Sequence, residues 1–188
     1  MAVLCIAGSG SGAGKTAVGC ELIRAMPELR WLAVKITAHE HSGFEGITEE
    51  TDAGSAKDTG RYRAAGAVRA FLVTTKSDAP AFIERVRARA PECDAVLIET
   101  GKLNAAEIAE AGEENLTLAV LTADVSKWKS ETHMRAGNAD ALVLTNGMTQ
   151  GSLPDELRWM VAFALPKGEW QSAALVDFAR KRLKPAHL

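Results

Sequence analysis

Aromatic side chains are scarce in this sequence: they make up 5% of it, with a single tyrosine. That leaves few platforms on which single-stranded nucleic acid could stack. An excess of one charge is also missing. The net charge is −2 at pH 7, so no polyanionic partner is implied. Cysteine is limited to Cys5, Cys20 and Cys93, an odd number at wide spacing with no Cys-x-x-Cys pair. A disulfide framework and a zinc knuckle are therefore unsupported. Three reduced thiols, packed as small apolar groups in a reducing cytosol, are expected instead. No apolar run approaches the ~18 residues that a membrane span needs. The start, Met-Ala-Val-Leu-Cys-Ile-Ala, lacks a basic leader and a cleavage site. The expectation is a cytoplasmic protein that engages neither membrane nor nucleic acid.

What is present suits a globular chain. Hydrophobic residues reach 47% of 188, enough for one domain, 1–188, with a sizeable core. Ala2 to Ala7 is a continuously apolar run, as a strand buried on both faces requires. Val18, Leu22, Ala25 and Met26 then recur at helical spacing, and Pro27 ends that helix. Trp31 to Ile36 reads as a second strand. Thr37 to Ser55 is polar and glycine-rich without a period, and loops this long usually serve a function or are disordered. A short helix is predicted over Ala56 to Ala65, and a strand over Val68 to Val73.

Ser77 or Asp78 can cap the next helix, with Pro80 in its first turn, and Pro91 closes it. Phe82, Ile83 and Val86 supply its inward face. Strands follow at Ala95 to Ile98, Leu116 to Leu121 and Ala141 to Leu144, the last clear one. Ser152 opens a predicted helix with Leu153, Leu157, Met160, Val161 and Ala164 on one stripe. A final helix spans about Ala173 to Leu183, its Arg180-Lys181-Arg182 run suiting the negative end of the helix dipole. Strands that alternate with helices predict an α/β fold: three layers, with a mostly parallel sheet covered on both faces.

The run Gly8-Ser9-Gly10-Ser11-Gly12-Ala13-Gly14-Lys15-Thr16 lies between the first strand and the first helix. That is the setting of a P-loop, which cradles phosphates. Glycines let the backbone curl so that several N–H groups face one anion, and the helix N-terminus adds partial positive charge. Ser11, Gly12, Ala13, Gly14, Lys15 and Thr16 are the candidate nucleotide contacts. Lys15 can reach the β- and γ-phosphates, and the Thr16 hydroxyl can ligate Mg²⁺. Ser9 stands where the strict pattern has glycine. A flexible turn with an incidental Gly-Lys-Thr is the competing reading, but strand, glycines, Lys-Thr and amphipathic helix all agree on a P-loop.

Other candidates surround it. Glu99 ends the buried run Ala95-Val96-Leu97-Ile98, at the carboxyl end of a strand where α/β sheets bind ligands. It can hold Mg²⁺ or its waters, or simply face solvent. Asp58 can bind a metal water, orient an attacking group, or only cap a helix. Asn146 follows the strand Ala141 to Leu144 and can read a purine edge. Met148 stands two residues on, where guanine-selective P-loop proteins usually carry Asp, so guanine over adenine stays open. His39, Glu40 and His41 read as a solvated loop rather than a metal cluster. A phosphate or substrate contact by His39 or Lys35 remains open.

Four blocks resemble the MobB family, the P-loop proteins of molybdopterin-guanine dinucleotide biosynthesis. They are Ser11 to Thr16; Val34-Lys35-Ile36-Thr37-Ala38-His39; Asp52 with Lys57-Asp58-Thr59, Arg61 and Ala65-Gly66-Ala67; and Asp94 to Lys102. Ile36 and Ala38 replace histidines of the second block, and Thr100 is inserted in the fourth. The likeness covers about the first hundred residues and is only architectural beyond Leu103. It implies GTP binding with weak hydrolysis, Mg²⁺ dependence, a homodimer, and a guanylyltransferase as partner. On that reading Lys15, Asp58 and Glu99 are the catalytic set, Thr16 and Glu99 hold the metal, and Asn146 reads the base. An ATP-dependent synthetase or kinase resembling dethiobiotin synthetase is the alternative. A non-hydrolysing interaction module and a metal-insertion chaperone follow behind.

Overall fold

The computed structural model describes residues 1–37, 45–76, 79–101, 105–109 and 114–183. The strands are β1 (Ala2–Gly8), β2 (Trp31–Thr37), β3 (Gly46–Glu49), β4 (Arg69–Thr74), β5 (Ala95–Glu99), β6 (Asn115–Thr122), β7 (Ala141–Thr145) and β8 (Ala162–Ala164). The helices are α1 (Lys15–Ala25), α2 (Asp58–Ala65), α3 (Ala79–Arg87), α4 (Thr132–Gly137) and α5 (Ala173–Arg182). They build an eight-stranded sheet in the order β3-β4-β2-β5-β1-β6-β7-β8. Every neighbouring pair is parallel except β3 and β4. This is the mostly parallel α/β sheet that the alternation predicts.

Successive side chains of a strand face opposite sides of a sheet. In β1, Leu4 and Ile6 join the core beneath α1, α2 and α5, while Val3 and Cys5 join the one beneath α3. Both sets are fully buried, which is why this strand reads as an unbroken apolar run. A third cluster, with Leu121, Leu144, Leu153, Leu157 and Met160, fills the space beside β6 and β7. All three cysteines are free and buried.

Several sequence expectations need correction or completion. The helix predicted over 152–164 does not form. Two short 3-10 turns, Gln150–Ser152 and Asp155–Leu157, precede β8 instead. Pro154 disfavours the helical region for the residue before it, and Leu153 is extended at φ −71°, ψ 147°. Leu153, Leu157 and Met160 are buried as a stripe would have them, but Val161 is 52% exposed.

The stretch predicted as a loop over 37–55 contains β3, a four-residue edge strand antiparallel to β4. α2 begins at Asp58 rather than Ala56, and the short α4 was not foreseen. α3 stops at Arg87, four residues before Pro91. The proposed caps Ser77 and Asp78 lie outside the described residues. α5 matches its expected span, with the Ser172 hydroxyl accepting the Leu175 N–H at 3.3 Å. Its terminal arginines are tied down: Arg180 donates to the Ala25 carbonyl at 2.7 Å, and Arg182 to Asp140.

Candidate nucleotide site

β1 and β5 are adjacent and parallel, so the loop leaving β1 and the end of β5 lie at the same edge of the sheet. The loop curls through Gly12 (φ 75°) and Gly14 (φ 94°), the latter capping α1. Both sit in the left-handed region that glycine tolerates. Ser9 does not, so glycine is not needed at that position. Its N–H donates to the Val120 carbonyl at 3.0 Å, and its hydroxyl accepts the Thr122 N–H at 3.3 Å. The Ser9 carbonyl accepts from the Lys129 N–H (3.1 Å) and the Thr132 hydroxyl (3.3 Å). Crowding falls one residue earlier. A Cβ on Gly8 would meet Lys15 Cδ at 2.8 Å and the Val120 carbonyl oxygen at 2.9 Å.

Lys15 Nζ donates to the Gly10 carbonyl at 2.7 Å, which folds the ammonium back over its own loop. Burial lowers its pKa; Glu99 opposes the shift, while Lys35 and Lys129 add to it. A cation held in so little water is poised to gain an anionic partner.

Glu99 is the hub of the site, and it is 4% exposed. Its Oε2 accepts from the Thr16 hydroxyl at 2.8 Å and from the Tyr62 hydroxyl at 2.7 Å. Its Oε1 accepts from Lys35 Nζ at 3.2 Å. The same ammonium pairs with Asp58 Oδ2, and Arg61 approaches Asp58 Oδ1 at 3.4 Å. Glu99 therefore does not face solvent. Asp58 is the first residue of α2 and turns to Lys35 rather than capping the helix.

The charges act on one another. Burial alone would lower the Lys35 pKa, but Glu99 and Asp58 raise it above the ordinary value. Burial alone would raise that of Asp58, but the Lys35 hydrogen bond and charge hold it below the usual carboxylate range. Burial, then the Glu99 charge, pushes Tyr62 well above a normal phenol, so it stays a donor.

These groups share a cavity of about 360 Å³ whose walls include Ser11, Gly12, Gly14, Lys15, Thr16, Lys35, Asp58 and Glu99. The donor set fits Mg²⁺: a hydroxyl and buried carboxylates are hard oxygen ligands, and this ion commonly completes its shell with water and phosphate. The Lys35 ammonium lies between two of these carboxylates, so positive charge is already favoured at this end of the cavity.

Two expected contacts are absent from the wall. Ala13 is fully buried, and its carbonyl accepts the Thr145 hydroxyl at 2.9 Å, binding the cradle to the end of β7. Asn146, at φ 56°, donates its amide to the Thr122 hydroxyl at 3.2 Å. Met148 is buried in the third core cluster. His39, Glu40 and His41 lie outside the described residues. Among the described residues, no group of three or more His, Cys, Asp and Glu could hold a metal ion, and no helix is long and apolar enough to cross a membrane.

Tyr62 was missed in the sequence, and a signal existed. It follows Asp58 by four residues, so the two share one face of α2. Trp170, which lines the cavity, gave no local signal.

No protein family and no curated protein matches the chain. Solved structures do. Hydrogenase maturation factor HypB from Archaeoglobus fulgidus aligns with TM-score 0.65 at 16% identity, over 98% of this chain and 91% of that one. HypB from Helicobacter pylori, solved with nickel, gives 0.61 at 15%, over 96% and 84%. Bacillus subtilis MobB gives 0.52 at 18%, over 98% and 99%. At such identities the likeness concerns the fold. With a glycine cradle between β1 and α1 and a parallel sheet beneath it, the chain has the α/β fold of the P-loop NTPases, shared with MobB and HypB.

Proposed function

We propose that the protein is a single-domain, Mg²⁺-dependent GTP-binding protein with slow GTPase activity that assists synthesis of a molybdopterin-guanine dinucleotide cofactor. The observation that carries the nucleotide reading is the convergence of Lys15, Thr16, Asp58 and Glu99 on one cavity at the helix N-terminus. The MobB likeness supports the finer role: sequence blocks carry it in about the first hundred residues, and the fold aligns over nearly the full length of both chains. A guanylyltransferase partner and a homodimer belong to the same proposal.

Each residue has a distinct task. Lys15 exchanges the Gly10 carbonyl for β- and γ-phosphate oxygens. The backbone N–H groups of Ser11, Gly12, Gly14, Lys15 and Thr16 surround the phosphates. Thr16 and Glu99 would hold Mg²⁺, which would neutralise phosphate charge there. Asp58 positions the attacking water. Lys35 keeps two carboxylates close without repulsion, and Tyr62 fixes the Glu99 rotamer by its hydrogen bond.

One observation favours the second reading, an ATP-dependent synthetase or kinase. Asn146 is occupied with Thr122, and no carboxylate stands at position 148 to read guanine. Phosphate release measured with GTP and with ATP, each with Mg²⁺, separates the two. Slow release from GTP alone, with no added acceptor, supports the first reading. Release from ATP that depends on an added small-molecule acceptor overturns it in favour of the second.

A further inference from the structure

A phosphate cradle leaves open where the nucleoside half of the ligand rests. The terminal-phosphate side is marked by Thr16, Lys35, Asp58 and Glu99, which cluster through direct hydrogen bonds. A nucleoside on the same phosphate chain must leave the cavity away from that cluster. Beyond the cradle and that cluster the wall consists of Ala17, Trp170 and Arg61, and Arg61 reaches back to Asp58 at 3.4 Å. Trp170 is the only aromatic side chain on the cavity wall among the described residues.

Its position is tightly defined. A Cβ built on Gly14 would lie 2.3 Å from Trp170 Cζ3 and 2.9 Å from Cε3. The six-membered half of the indole thus rests directly against the cap of α1. The ring is partly buried against the core beneath α1 and α5. It also borders a second hollow of about 160 Å³, formed with Ala17, Cys20, Glu21, Arg24, Arg61 and Ala64. The indole therefore stands between the cradle and a groove running along α1 toward α2. Gly14 consequently serves twice: its φ of 94° turns the loop, and its missing side chain admits the ring.

We propose that Trp170 is the nucleoside platform of this site, contacting the ribose and base of a nucleotide whose phosphates lie on the cradle. The inference rests on the nucleotide-binding reading and adds a residue to it. Every base has a π-face, so contact through the indole adds affinity without reading donors and acceptors at the base edge. Trp170 then supports guanine and adenine nucleotides alike, and any preference between them arises elsewhere.

Calorimetry with Mg²⁺ on wild-type, W170A and W170F protein tests this, using GTP, ATP and inorganic tripolyphosphate as probes. Tripolyphosphate has the phosphate chain without the nucleoside. W170A is expected to weaken GTP and ATP by about 10-fold each, from the usual range for a lost aromatic stack. Tripolyphosphate affinity should stay within about 2-fold by the same logic, and W170F should recover most of the loss. Equal weakening of tripolyphosphate would make Trp170 a support of the loop and overturn the proposal. So would unchanged nucleotide affinity, or tighter binding by W170A, which would make the ring a plug. Failure of the wild type to bind any probe would overturn the nucleotide reading and this inference with it. Nucleotide binding indifferent to Trp170 would overturn this inference alone.

Discussion

Replacing Lys35 by methionine keeps the aliphatic stem and removes the ammonium that Asp58 and Glu99 share. The Glu99 side chain is 5% exposed, so among the described residues its charge would keep the Thr16 and Tyr62 hydroxyls as donors. Breaking a buried ion pair by deleting one partner costs about 3–5 kcal/mol. The Lys35 and Asp58 side chains are 24% and 33% exposed, which lets water screen part of that. A loss of about 2 kcal/mol is the resulting expectation. For a chain of this length it corresponds to about 4–8 °C in Tm. Thermal unfolding without nucleotide or Mg²⁺ measures it, because a bound cation would replace the missing charge. The double variant K35M/E99Q should regain part of the loss, since it removes the stranded carboxylate as well. A K35M loss below about 0.5 kcal/mol, the size of an ordinary surface change, would refute the reasoning. So would a double variant no more stable than K35M.

Two further expectations follow from groups outside the cavity. The Arg30 hydrogen bonds hold the Asp94 carboxyl below its ordinary range. A lowered folded pKa contributes stability that is present above the unfolded value of about 3.9 and lost as pH falls through the folded one. D94N should therefore be less stable than wild type at pH 7 and show a flatter acid limb below about pH 4. The effect is small because the Arg30 side chain is 60% exposed, and acid limbs that coincide would contradict it. Burial pushes Cys20 and Cys93 each up to about 11, and Cys5 higher still. At pH 8 an aromatic disulfide reagent should titrate none of the three thiols in native protein and all of them in denaturant. Rapid titration of Cys20 in the native state would contradict this.

The cradle was legible because its parts are contiguous: strand, glycines, Lys15, Thr16 and an amphipathic helix follow one another. Glu99 was legible because a buried strand that ends in a carboxylate puts that group at the sheet edge where β1 also ends. What the carboxylate meets was not legible, because Lys35 lies 64 residues away and Tyr62 lies 37 away. Ser9 looked like a flaw in the motif, but its backbone needs no left-handed torsion, so the departure costs the loop nothing. The 152–164 segment was misread because Leu153, Leu157 and Met160 have helical spacing; Pro154 outweighs them through the backbone of its predecessor. β3 and β8 are short edge strands, and four or three residues give too little alternation to betray a strand. Trp170 reaches Gly14 from a distant loop, so only the fold reveals it.

The central claim is that Gly8 to Thr16 binds nucleotide phosphates, and calorimetric titration of GTP and ATP with Mg²⁺ into wild-type and K15A protein tests it most directly. Saturable one-to-one binding by the wild type, weakened by about 100-fold or more when the charge-assisted bonds of Lys15 are lost, is the predicted result. No binding of either nucleotide, or equal binding by K15A, would contradict the account.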